Sequence, residues 1–155
     1  MAIEAPFSKY KKTNFKIIFI VLLGLGCWFA YDGYLNQKFI EKHTENFGTE
    51  EAVADSTLNF NRKSPPFFIA GAIAVAVYFM MVKNKKVIAG ESSLITPNGE
   101  IPYDSIEKIN KTNFDNKGFF VITSKQGEKE TDTRLSDRNY DNLSEILDEL
   151  IKKIS

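Results

Sequence analysis

The sequence has little of the chemistry on which most enzymes and metal proteins depend. Its 155 residues include one cysteine, Cys27, and one histidine, His43. A single cysteine excludes a disulfide within the chain and a metal site built from several of its cysteines. No phosphate-binding loop, dinucleotide-binding glycine pattern or zinc-ligand spacing occurs. We therefore expect no cofactor and no bound metal.

The chain also lacks net charge, but its charges are unevenly distributed. Residues 1–86 contain 11 Lys and Arg against 7 Asp and Glu, a net +4, whereas residues 87–155 contain 9 against 13, a net −4. The apolar residues are concentrated in two runs, Ile17 to Tyr31 and Pro66 to Val82, both in the basic half. The acidic half argues against a nucleic-acid partner.

The first apolar run is long enough to cross a bilayer. From Ile17 to Leu35 a helix rises about 28 Å, close to the hydrocarbon thickness of about 30 Å. Trp28, Tyr31 and Tyr34 gather at its far end, where aromatic rings settle at a membrane interface. We predict a transmembrane helix over residues 16–35. The alternative is a cleaved signal peptide, with Cys27 in a lipoprotein-like cleavage sequence.

The second apolar run begins with a helix-start signal. Ser64 is followed by Pro65 and Pro66, and proline is tolerated in a first helical turn because that N–H has no partner within the helix. The run through Val82 is at the lower length limit for a span. We predict a second transmembrane helix over residues 65–82. The alternative, a buried core helix, requires a soluble domain larger than the remaining chain provides.

Lysine and arginine positions predict how the two helices are oriented. Seven lysines flank the runs on their outer sides: Lys9, Lys11, Lys12, Lys16, Lys83, Lys85 and Lys86. The connection has four basic residues: Lys38, Lys42, Arg62 and Lys63. Because basic residues are retained on the cytoplasmic side, we predict a multi-pass inner-membrane protein with both termini in the cytoplasm and residues 36–64 outside.

Small residues recur at helical spacing in both predicted spans. Gly26 and Ala30 share a face of the first, and Ala70 and Ala74 share a face of the second. Such pairs allow close helix approach in lipid. They predict either packing of the two spans on each other or a docking face for another membrane subunit.

The predicted external segment, residues 36–64, is polar and mildly acidic. Its start is expected to extend the first helix as far as Gly48, and Thr49 to cap a short second helix. His43 lies between Glu41 and Glu45, but at spacings of two these side chains point to different helix faces. We expect a solvated surface there and no metal site.

After Lys86 the pattern changes to short strands, turns and a final helix. The candidate strands are Val87 to Ala89, Ser93 to Thr96, Ile101 to Tyr103, Ile109 to Phe114, Phe119 to Ser124 and Glu130 to Leu135. Turn sequences at 97–99 and 126–127 predict antiparallel hairpins. The last stretch predicts an amphipathic helix, with Asn139 or Asp141 as its cap and one apolar stripe formed by Leu143, Ile146, Leu147, Leu150, Ile151 and Ile154.

Residues 84–155 resemble the bacterial pleckstrin-homology-like (PH-like) domains. The resemblance is carried by "LITPNGEIPYDSIEKI", the strand "KGFFVITS", a polar hairpin and the closing helix. Some members of that family follow a two-helix membrane hairpin. The resemblance implies an α+β domain over residues 83–155, with a small curved antiparallel sheet or partial barrel capped by a C-terminal helix. Independently of it, the lysines before the first span predict a basic cytoplasmic N-terminus over residues 1–15. The family has seven strands, of which six are readable here, and no ligand-binding residues carry over.

These features predict binding rather than catalysis. The cytoplasmic module has no histidine and no cysteine, the usual general base and thiol nucleophile, so we expect no enzyme activity and no small-molecule substrate. We predict an accessory subunit or scaffold that contacts the bilayer and another membrane subunit. The alternative is a lipid-headgroup sensor, in which Lys83, Lys85 and Lys86 face the lipid.

Overall fold

The chain is an α+β protein that divides into two compact units. The computed structural model describes residues 2–154. One unit, the helical unit, comprises residues 14–79, and the other, the β unit, comprises the residues up to 13 together with those from 80 onward. All strand pairs described are antiparallel, which confirms the predicted mixed fold with antiparallel sheets.

Four helices and a short ladder account for the first half of the chain. The helices are α1 (Lys9–Tyr34), α2 (Gln37–Lys42), α3 (Ser56–Lys63) and α4 (Pro65–Val82). Strand β2 (Thr44–Glu45) pairs with β3 (Val53–Ala54) between α2 and α3. The first helix therefore begins seven residues before the predicted span at residue 16.

Two helical stretches are long and apolar enough to cross a membrane. They are Lys9–Tyr34 and Ser56–Val82, whose most apolar windows have mean hydropathies of 1.8 and 2.0. The second combines α3 and α4. Between them Ser64 donates its N–H to the Phe60 carbonyl of α3 (2.9 Å) and accepts from the Phe67 N–H of α4 at its own carbonyl (3.0 Å). Only 6% and 17% of the residues in these windows are buried. A core helix of a soluble protein would be mostly buried, so this exposure argues against that alternative.

The segment between the long helices differs from the prediction. Helix α1 ends at Tyr34, and Asn36 caps a separate helix, α2, by accepting from the Phe39 N–H (3.3 Å). Thr49 does not cap a helix, because its hydroxyl donates to the Asn46 carbonyl (2.8 Å) within a turn. The cap of α3 is Asp55, whose carboxylate accepts from the Leu58 N–H (2.8 Å).

The β unit contains two sheets and two helices. The four-stranded sheet has the order β1-β4-β5-β6, formed by β1 (Ile3–Pro6), β4 (Lys86–Ala89), β5 (Ser93–Thr96) and β6 (Gly99–Pro102). The three-stranded sheet has the order β7-β8-β9, formed by β7 (Ile106–Asn110), β8 (Phe119–Gln126) and β9 (Lys129–Ser136). Helix α5 (Phe114–Lys117) joins β7 to β8, and α6 (Leu143–Ile154) follows β9.

Strand β1 was not predicted, since residues 1–15 were interpreted only as a basic N-terminus. It pairs with β4 in a register that places Ile3 opposite Ala89 and Pro6 opposite Lys86. Ala5 is fully buried, and the Phe7 N–H continues the ladder by donating to the Lys85 carbonyl (2.9 Å). The four-stranded sheet is thus assembled from one chain segment that precedes the helical unit in the sequence and others that follow it.

The strand predicted over Ile109 to Phe114 is wrong from Lys111 onward, and β7 begins three residues before the predicted start, at Ile106. Strand β7 ends at Asn110, and Phe114 begins α5, with its N–H bonded to the Lys111 carbonyl (2.8 Å). Gly118 ends α5 in the left-handed conformation (φ 66°), which glycine adopts without strain. The chain then enters β8, the central strand of its sheet.

One apolar core lies between the two sheets and α6. The predicted stripe of α6 supplies Leu143, Ile146, Leu147 and Leu150, all buried. Among the described residues, the largest fully buried side chain is Phe120 on β8, which contacts the ring of Phe114 edge-on (5.7 Å between centroids).

Candidate functional site

The predicted small-residue positions do not form a single surface. Gly26 lies within the contact between α1 and α4, where an added Cβ would stand 3.3 Å from Cγ1 of Ile69. Ala30 is half-buried, whereas Ala70 and Ala74 are exposed. Gly26 therefore serves the packing of the two helices on each other, and the two alanines remain on the outside of α4.

Among the glycines of the helical unit, Gly33 has the tightest surroundings, and sequence reasoning missed this position. An added Cβ there would lie 2.9 Å from the carbonyl oxygen of Asn61. Nearby, Tyr34 Oη donates to the Arg62 carbonyl, and Arg62 Nε donates to the Gly33 carbonyl, both at 3.0 Å. The seven-residue spacing from Gly26 to Gly33 places both on one helix face. This spacing is the sequence signal from which the close contact at Gly33 could have been predicted.

A histidine–aspartate pair closes the segment between α2 and α3. His43 Nδ1 lies 2.7 Å from Asp55 Oδ2, and the histidine ring stacks on Phe39 with 4.3 Å between centroids. The side chain of His43 is 19% exposed, so it is less solvated than expected, whereas Glu41 and Glu45 are exposed as expected. Its partner Asp55 is twelve residues away in the sequence, so the neighbouring carboxylates Glu41 and Glu45 do not indicate the pair.

Asp55 is held in its charged form by this arrangement. The hydrogen bond from the Leu58 N–H and the one to His43 lower the pKa of the Asp55 carboxyl below its usual 3.8. Both contacts stabilise the carboxylate. Within residues 2–154, no group of three or more His, Cys, Asp and Glu is placed to hold a metal ion. The pair joins the residue after α2 to the cap of α3, and we call it the clasp.

The start of α1 is held by the loop between β9 and α6. The Lys9 N–H donates to Asp141 Oδ2 (3.0 Å), and Lys11 Nζ donates to Asn139 Oδ1 (2.5 Å). Two backbone bonds join the same segments: Ser8 N–H to the Asn139 carbonyl (2.8 Å) and Asp141 N–H to the Pro6 carbonyl (2.9 Å). Asn139 and Asp141, which were predicted to cap α6, instead bind the start of α1. We call these contacts the N-terminal joint.

The three lysines predicted as a lipid-facing group lie just after α4. Lys83, Lys85 and Lys86 are all exposed. Lys86 Nζ lies 2.7 Å from Glu4 Oε1 on the paired strand β1. One of the three positive charges is therefore matched by a carboxylate, which leaves Lys83 and Lys85 as the candidates for lipid contact.

A polar cleft of about 260 Å³ lies between two hairpins of the β unit. We call it the edge cleft. It is lined by Thr96, Asn98, Gly99, Glu100 and Ile101 from the β5–β6 hairpin and by Ser124, Gln126, Thr131, Asp132, Thr133 and Arg134 from the β8–β9 hairpin. Strands β6 and β9 are each the last strand of a sheet, so the cleft lies between two sheet edges.

Buried tyrosines in the β unit are structural. Burial raises the pKa of Tyr103, with a smaller contribution from Glu149, and burial also raises the pKa of Tyr140. Tyr103 Oη donates to the Gly90 carbonyl (3.0 Å). A raised phenol pKa keeps these groups protonated and neutral and makes them weaker acids.

Comparison with protein-family models, with curated proteins and with solved structures gives no match to this chain. Its function must therefore be inferred from its own geometry.

Proposed function

We propose that this chain is a two-pass inner-membrane protein whose β unit is a non-catalytic, PH-like binding module, and that it serves as an accessory subunit of a larger bacterial membrane complex. The observation that carries the proposal is the pairing of β1, which precedes the first long helix, with β4, which follows the second.

The strand count supports a PH-like module. Members of that family have seven strands and a C-terminal helix, and the β unit has four strands in one sheet, three in the other and α6 at its end. The strand that was unreadable in the sequence is β1. The two apolar helices are inserted between the first and second strands of the module.

The same pairing supports the topology. Segments that pair in one sheet must lie on one side of a membrane, so the chain between Pro6 and Lys86 crosses an even number of times. The lysines flanking the long helices favour the cytoplasm for that side. Pairing of β1 also favours retention of the first apolar run over its cleavage as a signal peptide.

The available side chains support binding over catalysis. The β unit contains neither histidine nor cysteine, and its buried tyrosines have raised pKa values. In α4, Ala70 and Ala74 leave small exposed positions at which another helix can approach closely in lipid.

The test is purification of the tagged full-length chain in mild detergent, with its native mass and companions identified. We expect a stoichiometric complex with another membrane protein. The double variant Ala70→Leu/Ala74→Leu should lose the companion while keeping its thermal midpoint. The control Gly24→Leu adds bulk at an open position on α1 and should keep the companion protein bound. A wild-type chain that purifies alone contradicts the subunit proposal.

A second candidate function is recognition of anionic lipid, supported by the exposed Lys83 and Lys85. It predicts that anionic lipid co-purifies with the chain and is lost at high salt, because exposed charges are screened. The subunit proposal instead predicts that Lys83→Gln/Lys85→Gln leaves the protein companion bound.

A further inference from the structure

The edge cleft has a feature that the proposed function does not use, because unpaired backbone groups border it on both sides. In a two-residue hairpin the residues next to the turn form a hydrogen-bonded pair, and bonded and non-bonded pairs then alternate. Gly99 pairs with Thr96, so the N–H and C=O of Glu100 point to the free edge of β6. Lys129 pairs with Gln126, so those of Glu130, Asp132 and Arg134 point to the free edge of β9.

The side chains along β9 present two chemically different faces. Glu130, Asp132 and Arg134 lie on one face of β9, and Thr131 and Thr133 lie on the other. All of them are exposed except the half-buried Thr133, and Asp132 and Arg134 line the edge cleft together with the two threonines. Arg134 is already engaged, since its guanidinium lies 3.6 Å from the centroid of the Phe119 ring. Asp132 Oδ1 accepts from the Thr123 hydroxyl (2.6 Å), and Glu100 Oε1 accepts from the Ser93 hydroxyl. Each of these two carboxylates has a second oxygen, and Glu130 adds a third carboxylate, for a chain that pairs with β9.

The edge cleft lies at the end of the four-stranded sheet that the chain connects to α1 and α4. Pro6 is opposite Lys86, and Ile88 is opposite Ile95, so the β5–β6 turn at residues 97–98 is level with the point where β4 begins. Only Phe7 and Ser8 separate β1 from α1. The end of the sheet at which the cleft lies is therefore also the end that the chain joins to both long helices through a few residues.

We propose that the free edge of β9 binds an extended, lysine- or arginine-bearing cytoplasmic segment next to a span of another membrane protein, by adding it as a strand. Such segments carry an excess of basic residues, and opposite charges on paired strands stabilise the pair. The expected pattern alternates basic residues, opposite Glu130 and Asp132, with small β-branched or hydroxyl residues, opposite Thr131 and Thr133. This inference rests on the proposed function and specifies the chemistry of the partner.

The test uses the full-length chain in nanodiscs of zwitterionic phosphatidylcholine. The probe is a fluorescein-labelled ten-residue peptide in which lysine alternates with threonine, and its binding is measured by fluorescence anisotropy. A second peptide of the same sequence has alternate backbone amides methylated, which blocks strand pairing and keeps the charge. We expect the first peptide to bind and the methylated one to lose binding. Hydrogen exchange of residues 129–136 should slow with the first peptide, while exchange of 143–154 should not change.

Charge-matched variants distinguish binding of the peptide at the free edge of β9 from general attraction of a basic peptide to an acidic surface. Glu130→Gln/Asp132→Asn should weaken binding about fivefold, because two opposite-charge pairs between adjacent strands are lost. Glu145→Gln/Asp148→Asn removes the same charge from the exposed side of α6 and should leave binding unchanged. Thermal midpoints of both variants establish that they are folded.

Four outcomes overturn the inference. The first two are no binding of the lysine–threonine peptide and equal binding of the methylated peptide. The third is an equal loss of peptide affinity in the two double variants, and the fourth is self-crosslinking of Asp132→Cys in a Cys27→Ser background. The last outcome assigns the edge to a second copy of this chain. If a companion co-purifies but the peptide does not bind, this inference fails and the subunit proposal stands. If the peptide binds but the chain purifies alone, the subunit proposal fails.

Discussion

At Gly33 the backbones of α1 and α3 leave no room for a side chain, because an added Cβ would lie 2.9 Å from the Asn61 carbonyl oxygen. We predict that Gly33→Ala destabilises the helical unit by about 1–3 kcal/mol, the usual cost of overpacking. Thermal unfolding of the full-length chain in detergent measures this.

The matched control for that prediction is Gly24→Ala. Gly24 has no atom within 4 Å of an added Cβ, so the substitution should stabilise α1 by about 0.5–1 kcal/mol through helix propensity. Equal effects at the two positions would contradict the close contact at Gly33.

The clasp between His43 and Asp55 predicts a specific acid response. Since the pKa of Asp55 is lower in the folded chain than its usual 3.8, its carboxylate stabilises the fold above about pH 4, and this stabilisation is lost as the pH falls through the folded-state pKa. Asp55→Asn keeps a capping side chain and should give a flatter dependence of thermal midpoint on pH below about 4.

Glu50→Gln is the control for the acid response, since Glu50 is an exposed carboxylate elsewhere in the same segment. This variant should keep the pH dependence of the wild-type chain. A wild-type and an Asp55→Asn profile that run in parallel between pH 3 and pH 5 would show that the clasp does not contribute.

At the scale of elements, β1 should be required for a stable β unit. A fragment of residues 84–155 lacks Ala5 and Phe7, which are buried in the full chain. We predict that fusing residues 2–8 to residues 84–155 through a short glycine-rich linker stabilises this fragment by at least about 3 kcal/mol, the cost of losing one buried aromatic side chain. Urea unfolding followed by circular dichroism compares the two proteins.

A variant of the fusion tests whether the stabilisation comes from packing. Glu4→Gln removes only the exposed ion pair with Lys86, so it should change stability by less than about 1 kcal/mol. Equal stability of the fusion and the fragment would mean that β1 is dispensable.

The elements that sequence reasoning identified are those with strong local signals. The proline pair after Ser64 marks the start of α4, and the apolar stripe from Leu143 marks α6. Strand β1 has no such signal, because it is four residues long, ends in Pro6 and pairs with a strand 80 positions later. The clasp and the N-terminal joint were missed for the same reason, since each joins residues whose proximity depends on the tertiary fold.

At the scale of the whole molecule, the proposed topology predicts the labelling of single cysteines in intact cells. In a Cys27→Ser background, Glu50→Cys should react with a membrane-impermeant maleimide from outside, because residues 36–64 are proposed to be external. Glu128→Cys, in an exposed hairpin of the β unit, should react only after the membrane is permeabilised. Labelling of both positions in intact cells would contradict an arrangement in which the β unit is cytoplasmic.

The pairing of β1 with β4 also sets an order of events during synthesis. Pro6 leaves the ribosome 80 residues before its partner Lys86, which at about 5–20 residues per second is a delay of roughly 4–16 s. During that interval β1 has no strand to pair with, and both apolar helices are made before β4 exists. If the helices span the membrane as proposed, a chain in which only one of the two spans has been inserted holds β1 and β4 on opposite sides of the bilayer, so it cannot complete the four-stranded sheet.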